Sequence, residues 1–270
     1  MIPFPAIDPV ALHLGPLAIR WYGLAYVGGM LGGLWYAKRL ATRWPVTGIT
    51  ADALDALFTW VVLGVVMGGR LGYVAFYALP TYGFNLLLSD PTYPFRVWEG
   101  GMSFHGGVLG VVLAMVLFAA KHRLNPFDVA DRVVPALPLG LFLGRLANFI
   151  NGELWGKPAD PTLPWAMVFP HVDSLPRHPS PLYEAGLEGL LLGLVLWLAT
   201  RRGITRYLPS GIFLAGYALA RIFCESFRTP EITYTVLGLS LSQGQLLSLP
   251  MLAVGLIFLA LDKSKGVKGA

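Results

Sequence analysis

Charge is scarce in this 270-residue chain: Asp, Glu, Lys and Arg together make up 13% of it, against about 25% in an ordinary soluble domain. A conventional solvated surface is therefore excluded. Cysteine is scarcer still. The single Cys224 rules out an intramolecular disulfide framework and a cysteine-based zinc cluster, and no Cys/His ligand spacing points to a metal. Residues 1–15 have no basic n-region and carry Pro3, Pro5, Asp8 and Pro9. They are expected to lie along a membrane surface before the first span, not to form a cleavable signal peptide. Inverted repeats and low-complexity tracts are also missing.

What is abundant is apolar sequence: 55% of residues are hydrophobic and mean hydropathy is +0.61. The expected fold is an all-α polytopic membrane protein, a single integral-membrane domain over residues 1–270. Long apolar runs predict about seven transmembrane helices, at residues 18–37, 54–79, 103–120, 133–150, 182–200, 209–227 and 244–261. The segments after spans one, three, five and seven hold Lys38, Arg39, Arg43, Lys121, Arg123, Arg132, Arg201, Arg202, Arg206, Lys263, Lys265 and Lys268, twelve of the 20 basic residues. Arg20, Arg96, Lys157, Arg177 and Arg228 lie on the opposite side. The positive-inside rule then places the N-terminus outside and the C-terminus in the cytoplasm. The net charge of +5 is a topology signal and does not imply nucleic acid. Residues 151–181, rich in Pro and Trp, are expected to form a small extracytoplasmic cap between spans four and five.

Three arginines, Arg70, Arg145 and Arg221, fall inside the spans. A guanidinium keeps its proton, and hydrocarbon cannot solvate it. Arg145 lies about five residues, or roughly 8 Å, from the outer end of span four. Tyr217, Arg221 and Glu225 stand at i, i+4 and i+8 and share one face of span six. Tyr22 lies near the outer start of span one, and His105 and Gly106 lie at the outer mouth of span three. Polar groups from five spans thus meet the outer half of the bilayer. Structural readings stand beside this one. Arg70 snorkels or makes a structural salt bridge, Glu225 neutralises Arg221, Tyr22 belongs to the aromatic belt, and His105 packs among glycines. The Gly64-x-x-x-Gly68-x-x-x-Gly72 and Gly140-x-x-x-Gly144 spacings predict close helix contacts. Arginines at one depth repel unless an anion lies between them, and at headgroup level that anion is most naturally a lipid phosphate. A lipid transporter would need polar groups through the inner half and broken helices. An intramembrane protease would need a Ser/His or Asp/Asp pair, and Asp131 has no acidic intramembrane partner.

Gly144-Arg145-Leu146-Ala147-Asn148-Phe149-Ile150-Asn151-Gly152-Glu153-Leu154-Trp155-Gly156 is similar to the signature of bacterial prolipoprotein diacylglyceryl transferases, G-R-x-[GA]-N-F-x-N-x-E-x-x-G, at every fixed position. The resemblance extends over nearly the whole chain. It includes Arg20-Trp21-Tyr22-Gly23, Gly101-Met102-Ser103-Phe104-His105-Gly106-Gly107, Asp131 with Pro135, His178-Pro179-Ser180-Pro181-Leu182-Tyr183-Glu184, and Tyr217, Arg221 and Glu225. Pro181 departs from the family's usual Gln, at a first helical turn that tolerates proline.

The resemblance implies an enzyme of the bacterial inner membrane with its active site facing the outer leaflet. It would move the sn-1,2-diacylglyceryl group of phosphatidylglycerol to the lipobox cysteine thiol of a preprolipoprotein. Glycerol 1-phosphate would leave and a thioether form. No metal or cofactor is implied; the partners are membrane lipid and the lipobox segment. Arg145 and Arg221 would hold the phosphate and His105 would take the thiol proton. Tyr22, Gly106, Asn148, Asn151, Glu153, Gly156, Tyr217 and Glu225 would bind and orient substrate.

Overall fold

The computed structural model describes residues 2–230, 232–236 and 238–262. Lys263, Lys265 and Lys268, counted above among the inner basic residues, lie outside the described residues. The structure is mostly helical. Its long helices are α1 (Trp21–Arg43), α2 (Ala51–Tyr82), α3 (Phe104–Lys121), α4 (Pro126–Ile150), α5 (Ser180–Thr200), α6 (Leu208–Glu225) and α7 (Gln243–Leu261). Each expected span has its helix. Among the described residues, α2, α3, α4, α5 and α7 are long and apolar enough to cross a membrane.

Strands, which an all-α expectation leaves out, are short and lie outside these helices. β1 (Ile2–Pro3), β4 (Met167–Val168) and β5 (Pro176–Arg177) form one sheet in the order β1-β4-β5. β2 (Val10–Leu14) and β3 (Leu17–Arg20) form a hairpin across Gly15-Pro16, where Gly15 takes φ +61°; a two-residue turn of this kind favours glycine at its first position. The N-terminal segment is therefore a hairpin joined directly to α1. β6 (Thr233–Val236) and β7 (Leu239–Ser242) pair antiparallel before α7.

Local chemistry sets the helix ends. Thr50 caps α2, its side chain accepting from Ala53 N at 3.1 Å, with Asp52 in the first turn, where a negative charge suits the helix dipole. Ser103 caps α3 by accepting from Gly106 N at 3.2 Å. Ser242 and Gln245 form a reciprocal capping box at α7. α2 widens to a π turn at Val74–Ala78 before Pro80, which cannot donate to the helical ladder. Gly83, at φ +72°, ends it. α4 starts well before the expected residue 133, so Asp131 and Arg132 lie within it, buried.

The chain divides into two compact units. One runs from the N-terminus to Ala37 and resumes at Asp131; the other is Lys38–Ala130. In the second unit α2 and α3 pack through facing glycines. A Cβ on Gly64 would stand 2.6 Å from Gly110 O, and one on Gly68 2.7 Å from Gly110 Cα. The expected close contact along Gly64, Gly68 and Gly72 is present, with Gly106 and Gly110 as its other half. The second expected contact is only half right. A Cβ on Gly29 of α1 would lie 3.0 Å from Gly140 Cα, but a Cβ on Gly144 would meet nothing within 4 Å. Spacing identifies which glycines share a face, not which face a neighbouring helix takes.

In the first unit Asp131 of α4 holds the start of α6. Its carboxylate accepts from Tyr207 N at 2.7 Å, Ser210 N at 3.1 Å and Ser210 Oγ at 2.6 Å. Asp131 is thus a cap that one helix supplies to another. Phe149 at the end of α4 packs with Met167 and Phe169 of the 151–181 segment, and with Phe4, Trp155 and Leu182. This apolar cluster ties the 151–181 segment to α4 and α5. Elsewhere the helices expose large apolar side chains, among them Leu109, Leu113, Leu190, Leu194 and Ile257, an arrangement suited to lipid and not to water.

Candidate functional site

Arg145 lies on α4, Glu184 and Glu188 on α5, and Tyr217, Arg221 and Glu225 on α6. Glu184 and Glu188 are one helical turn apart, and both side chains are 0% exposed. Arg145 Nε meets Glu184 Oε2 at 2.8 Å and its Nη2 meets Glu188 Oε2 at 3.3 Å. From the other side Arg221 Nη1 meets Glu184 Oε1 at 3.1 Å and Glu188 Oε1 at 3.5 Å. Arg221 Nη2 is ion-paired with Glu225, which also faces Arg228 Nη1 at 3.5 Å. Two carboxylates of one helix thus bridge arginines from two others.

The arrangement corrects the idea that a bound anion must separate the arginines: Glu184 and Glu188 of the protein lie between them. It also decides between the readings of Arg221, which pairs with Glu225 and with the α5 acids together. Neither Glu184 nor Glu188 was singled out as a site residue from the sequence. Their signal was present, two acids at i and i+4 in an otherwise apolar run, the same rule that linked Tyr217, Arg221 and Glu225. Tyr217 belongs to the cluster, in electrostatic contact with Glu188 and both arginines and stacked on Phe213 at 5.8 Å.

The arginines are not sealed. Their side chains remain 16% and 12% exposed, and Arg145 Nη1 donates no hydrogen bond among the described residues. A fork with one such nitrogen can still receive an oxyanion.

The rest of the signature turns the chain out of α4. Asn148 Nδ2 donates to Glu153 Oε2 at 3.0 Å and Asn151 Nδ2 to Glu153 Oε1 at 3.1 Å. Both asparagines therefore hold one exposed carboxylate, while Asn151 Oδ1 is buried without a hydrogen-bond partner. Gly152 takes φ +69°, its carbonyl 2.7 Å from His171 Nε2. Gly156 lies where backbones cross: its N–H donates to His178 O at 2.9 Å, and a Cβ there would come 2.7 Å from Phe227 O. Its requirement is steric.

The 151–181 segment is braced by its own polar contacts. Arg177 forks onto Asp173 and donates to Gly156 O at 3.0 Å. The guanidinium holds the Asp173 carboxyl below the usual carboxylate range, and that hydrogen bond raises Arg177 in turn. His178 Nδ1 lies 3.1 Å from Tyr183 Oη, and burial lowers its proton affinity.

The remaining predicted residues have other surroundings. Tyr22 lies against Tyr26, ring centroids 5.1 Å apart and tilted by 53°, and Tyr26 in turn is in electrostatic contact with Arg145. His105 and Gly106 belong to the second unit. His105 is exposed beside Phe104, and Gly106 is buried against Gly68 and Gly72 of α2. Arg70, also in that unit and 2% exposed, neither snorkels nor forms a salt bridge among the described residues. It donates to Gly100 O at 2.6 Å, Gly101 O at 3.3 Å and Tyr93 O at 2.8 Å, and lies over the Tyr93 ring at 4.8 Å. Backbone carbonyls and an aromatic face take the place of solvent around its charge, a pairing that periodicity cannot reveal.

Fold and site together define a multi-pass membrane protein with a buried arginine–carboxylate centre. Residues 9–261 match the prolipoprotein diacylglyceryl transferase family, and the chain belongs to that family. Among its relatives is the phosphatidylglycerol–prolipoprotein diacylglyceryl transferase of Rhodospirillum centenum, 51% identical over 94% of this chain and 91% of its own length. The like-named protein of Rhodospirillum rubrum is 51% identical over 95% and 92%. That of Nitratidesulfovibrio vulgaris strain DP4 is 48% identical over the full length of both.

Proposed function

We propose that this chain transfers the sn-1,2-diacylglyceryl group of phosphatidylglycerol to the lipobox cysteine thiol of preprolipoproteins, the first step of bacterial lipoprotein maturation. The observation that carries the proposal is the meeting of the signature arginine, Arg145, with Arg221 on the buried acids of α5, in a chain of this family. The cysteine S–H bond breaks and its proton passes to a base. The thiolate attacks the glycerol carbon that bears the phosphate, a C–S bond forms, and the C–O bond breaks. The electron pair leaves on glycerol 1-phosphate. Charge therefore moves from sulfur to phosphate. Arg145 and Arg221, fixed in advance by Glu184 and Glu188, stabilise that developing charge where little water competes.

A free thiol has a pKa of about 8.5 and needs a base at neutral pH. His105 fills that role. Asn148, Asn151 and Glu153 orient the glycerol headgroup, Tyr22 and Tyr217 donate hydrogen bonds, Glu225 holds Arg221, and Gly106 and Gly156 allow close backbone approach. All seven helices cross the inner membrane of the bacterium, with the N-terminus outside and the C-terminus cytoplasmic. Residues 151–181 form an extracytoplasmic cap on a single membrane domain, and the site faces the outer leaflet.

The test is direct. Purified full-length protein is mixed with phosphatidylglycerol and a lipobox peptide, and the peptide mass is followed. A diacylglyceryl adduct on the cysteine, absent with a Ser-substituted peptide, is expected. No adduct from folded protein would refute the reaction.

A further inference from the structure

The acids of α5 do more than hold the arginines still. Arg145, Arg221 and Arg228 face Glu184, Glu188 and Glu225, so this six-residue cluster is neutral when every member is ionised. Phosphatidylglycerol brings one negative charge at its phosphodiester. Docked on Arg145 and Arg221, it leaves the cluster with one negative charge in excess. Carboxylates crowded at one site cannot all stay ionised when the charge around them turns negative, and an unmatched buried charge is the costliest outcome.

The group that relieves the excess is identified by its surroundings. Glu225 lines an open cavity of about 290 Å3 with Lys157, Ser226, Ser242 and Gln245 and has Arg228 as a second cation. Glu184 and Glu188 have no exposure and depend on the two arginines that the phosphate would share. The charged and titratable groups facing them are Arg145 from α4, and Tyr217, Arg221 and Cys224 from α6, with Glu225 connected through Arg221. Of these, only the arginines carry positive charge, and both are engaged by the phosphate.

We propose that the Glu184–Glu188 pair takes up a proton when an anionic lipid phosphate docks on Arg145 and Arg221, and releases it when the phosphate departs. The inference rests on the phosphate site proposed above. It makes lipid affinity pH-linked with a definite sign. The complex holds more protons than the free protein, so binding weakens as pH rises, by up to about tenfold per pH unit where a whole proton is taken up.

Isothermal titration of the detergent-solubilised full chain with short-chain phosphatidylglycerol, in two buffers of different ionisation enthalpy and across neutral pH, reads this directly. Wild type is expected to take up close to one proton per lipid. Glu188→Gln and Glu184→Gln, each removing one negative charge beforehand, should bind without uptake and with flat pH dependence, while Glu188→Asp keeps the linkage. A buffer-independent binding enthalpy for wild type overturns the inference, whatever the variants do. Equal uptake with inorganic phosphate alone overturns its assignment to a lipid headgroup. If phosphatidylglycerol binds Arg145→Gln and Arg221→Gln as tightly as wild type, the phosphate site itself is wrong, a result distinct from bound lipid without a proton.

Discussion

Arg145, partly buried, and Arg70, buried, meet partners that differ in kind. Arg145 spends two nitrogens on two different carboxylates, and its third donates no hydrogen bond among the described residues. A lysine at 145 would keep the charge but place it at one point. Arg145→Lys is expected to cut kcat/KM in the peptide assay by about a hundredfold or more, of the order seen when one oxyanion-stabilising donor is lost; near-normal turnover would remove the fork from the mechanism. Arg70 instead meets three carbonyls and a tyrosine face. Arg70→Gln leaves those carbonyls short of donors and should destabilise the protein by about 2 kcal/mol or more. Faster proteolysis at residues 93–101 would reveal it. His105→Gln tests the base: a fall in turnover of about a hundredfold or more is expected, and near-normal turnover would remove His105 from that role.

Helices here are held by two devices, close glycine packing and caps lent across elements. Gly64 faces Gly110 with no room for a side chain, whereas Gly140 has open space at its Cβ position. Gly64→Ala should therefore lower stability by about 1–3 kcal/mol through overpacking, and Gly140→Ala should leave it near wild type. Thermal unfolding of both variants in detergent compares them directly; equal midpoints would contradict the packing account. Asp131 matters differently, since three donors at the start of α6 converge on it. Asp131→Ala leaves buried donors unmet, and a larger loss than Gly64→Ala is expected in the same measurement.

For the whole molecule, the proposed orientation is open to chemical mapping because Cys224 is the one native thiol and is buried. Asp160→Cys, in the proposed cap, should react with a membrane-impermeant maleimide added to intact spheroplasts. Arg202→Cys, between α5 and α6, should react only after lysis. The reverse pattern would invert the topology.

Residue order alone determined the membrane class, the seven helical segments, the shared face of Tyr217, Arg221 and Glu225, and the signature around Arg145. All of these depend on local periodicity and spacing, and burial in lipid makes hydropathy a strong signal. The α2 glycine row was legible for the same reason. Tertiary structure alone decided what each buried charge meets. Glu184 and Glu188 read as an interruption in an apolar run until α4 and α6 brought arginines to them. Arg70 found carbonyls from a loop more than twenty residues away, Asp131 a helix start far along the chain, and Gly144 nothing within 4 Å of where a Cβ would stand. A charge in a low-dielectric interior must be matched within a few ångströms, and the partner that satisfies it is chosen by packing in three dimensions.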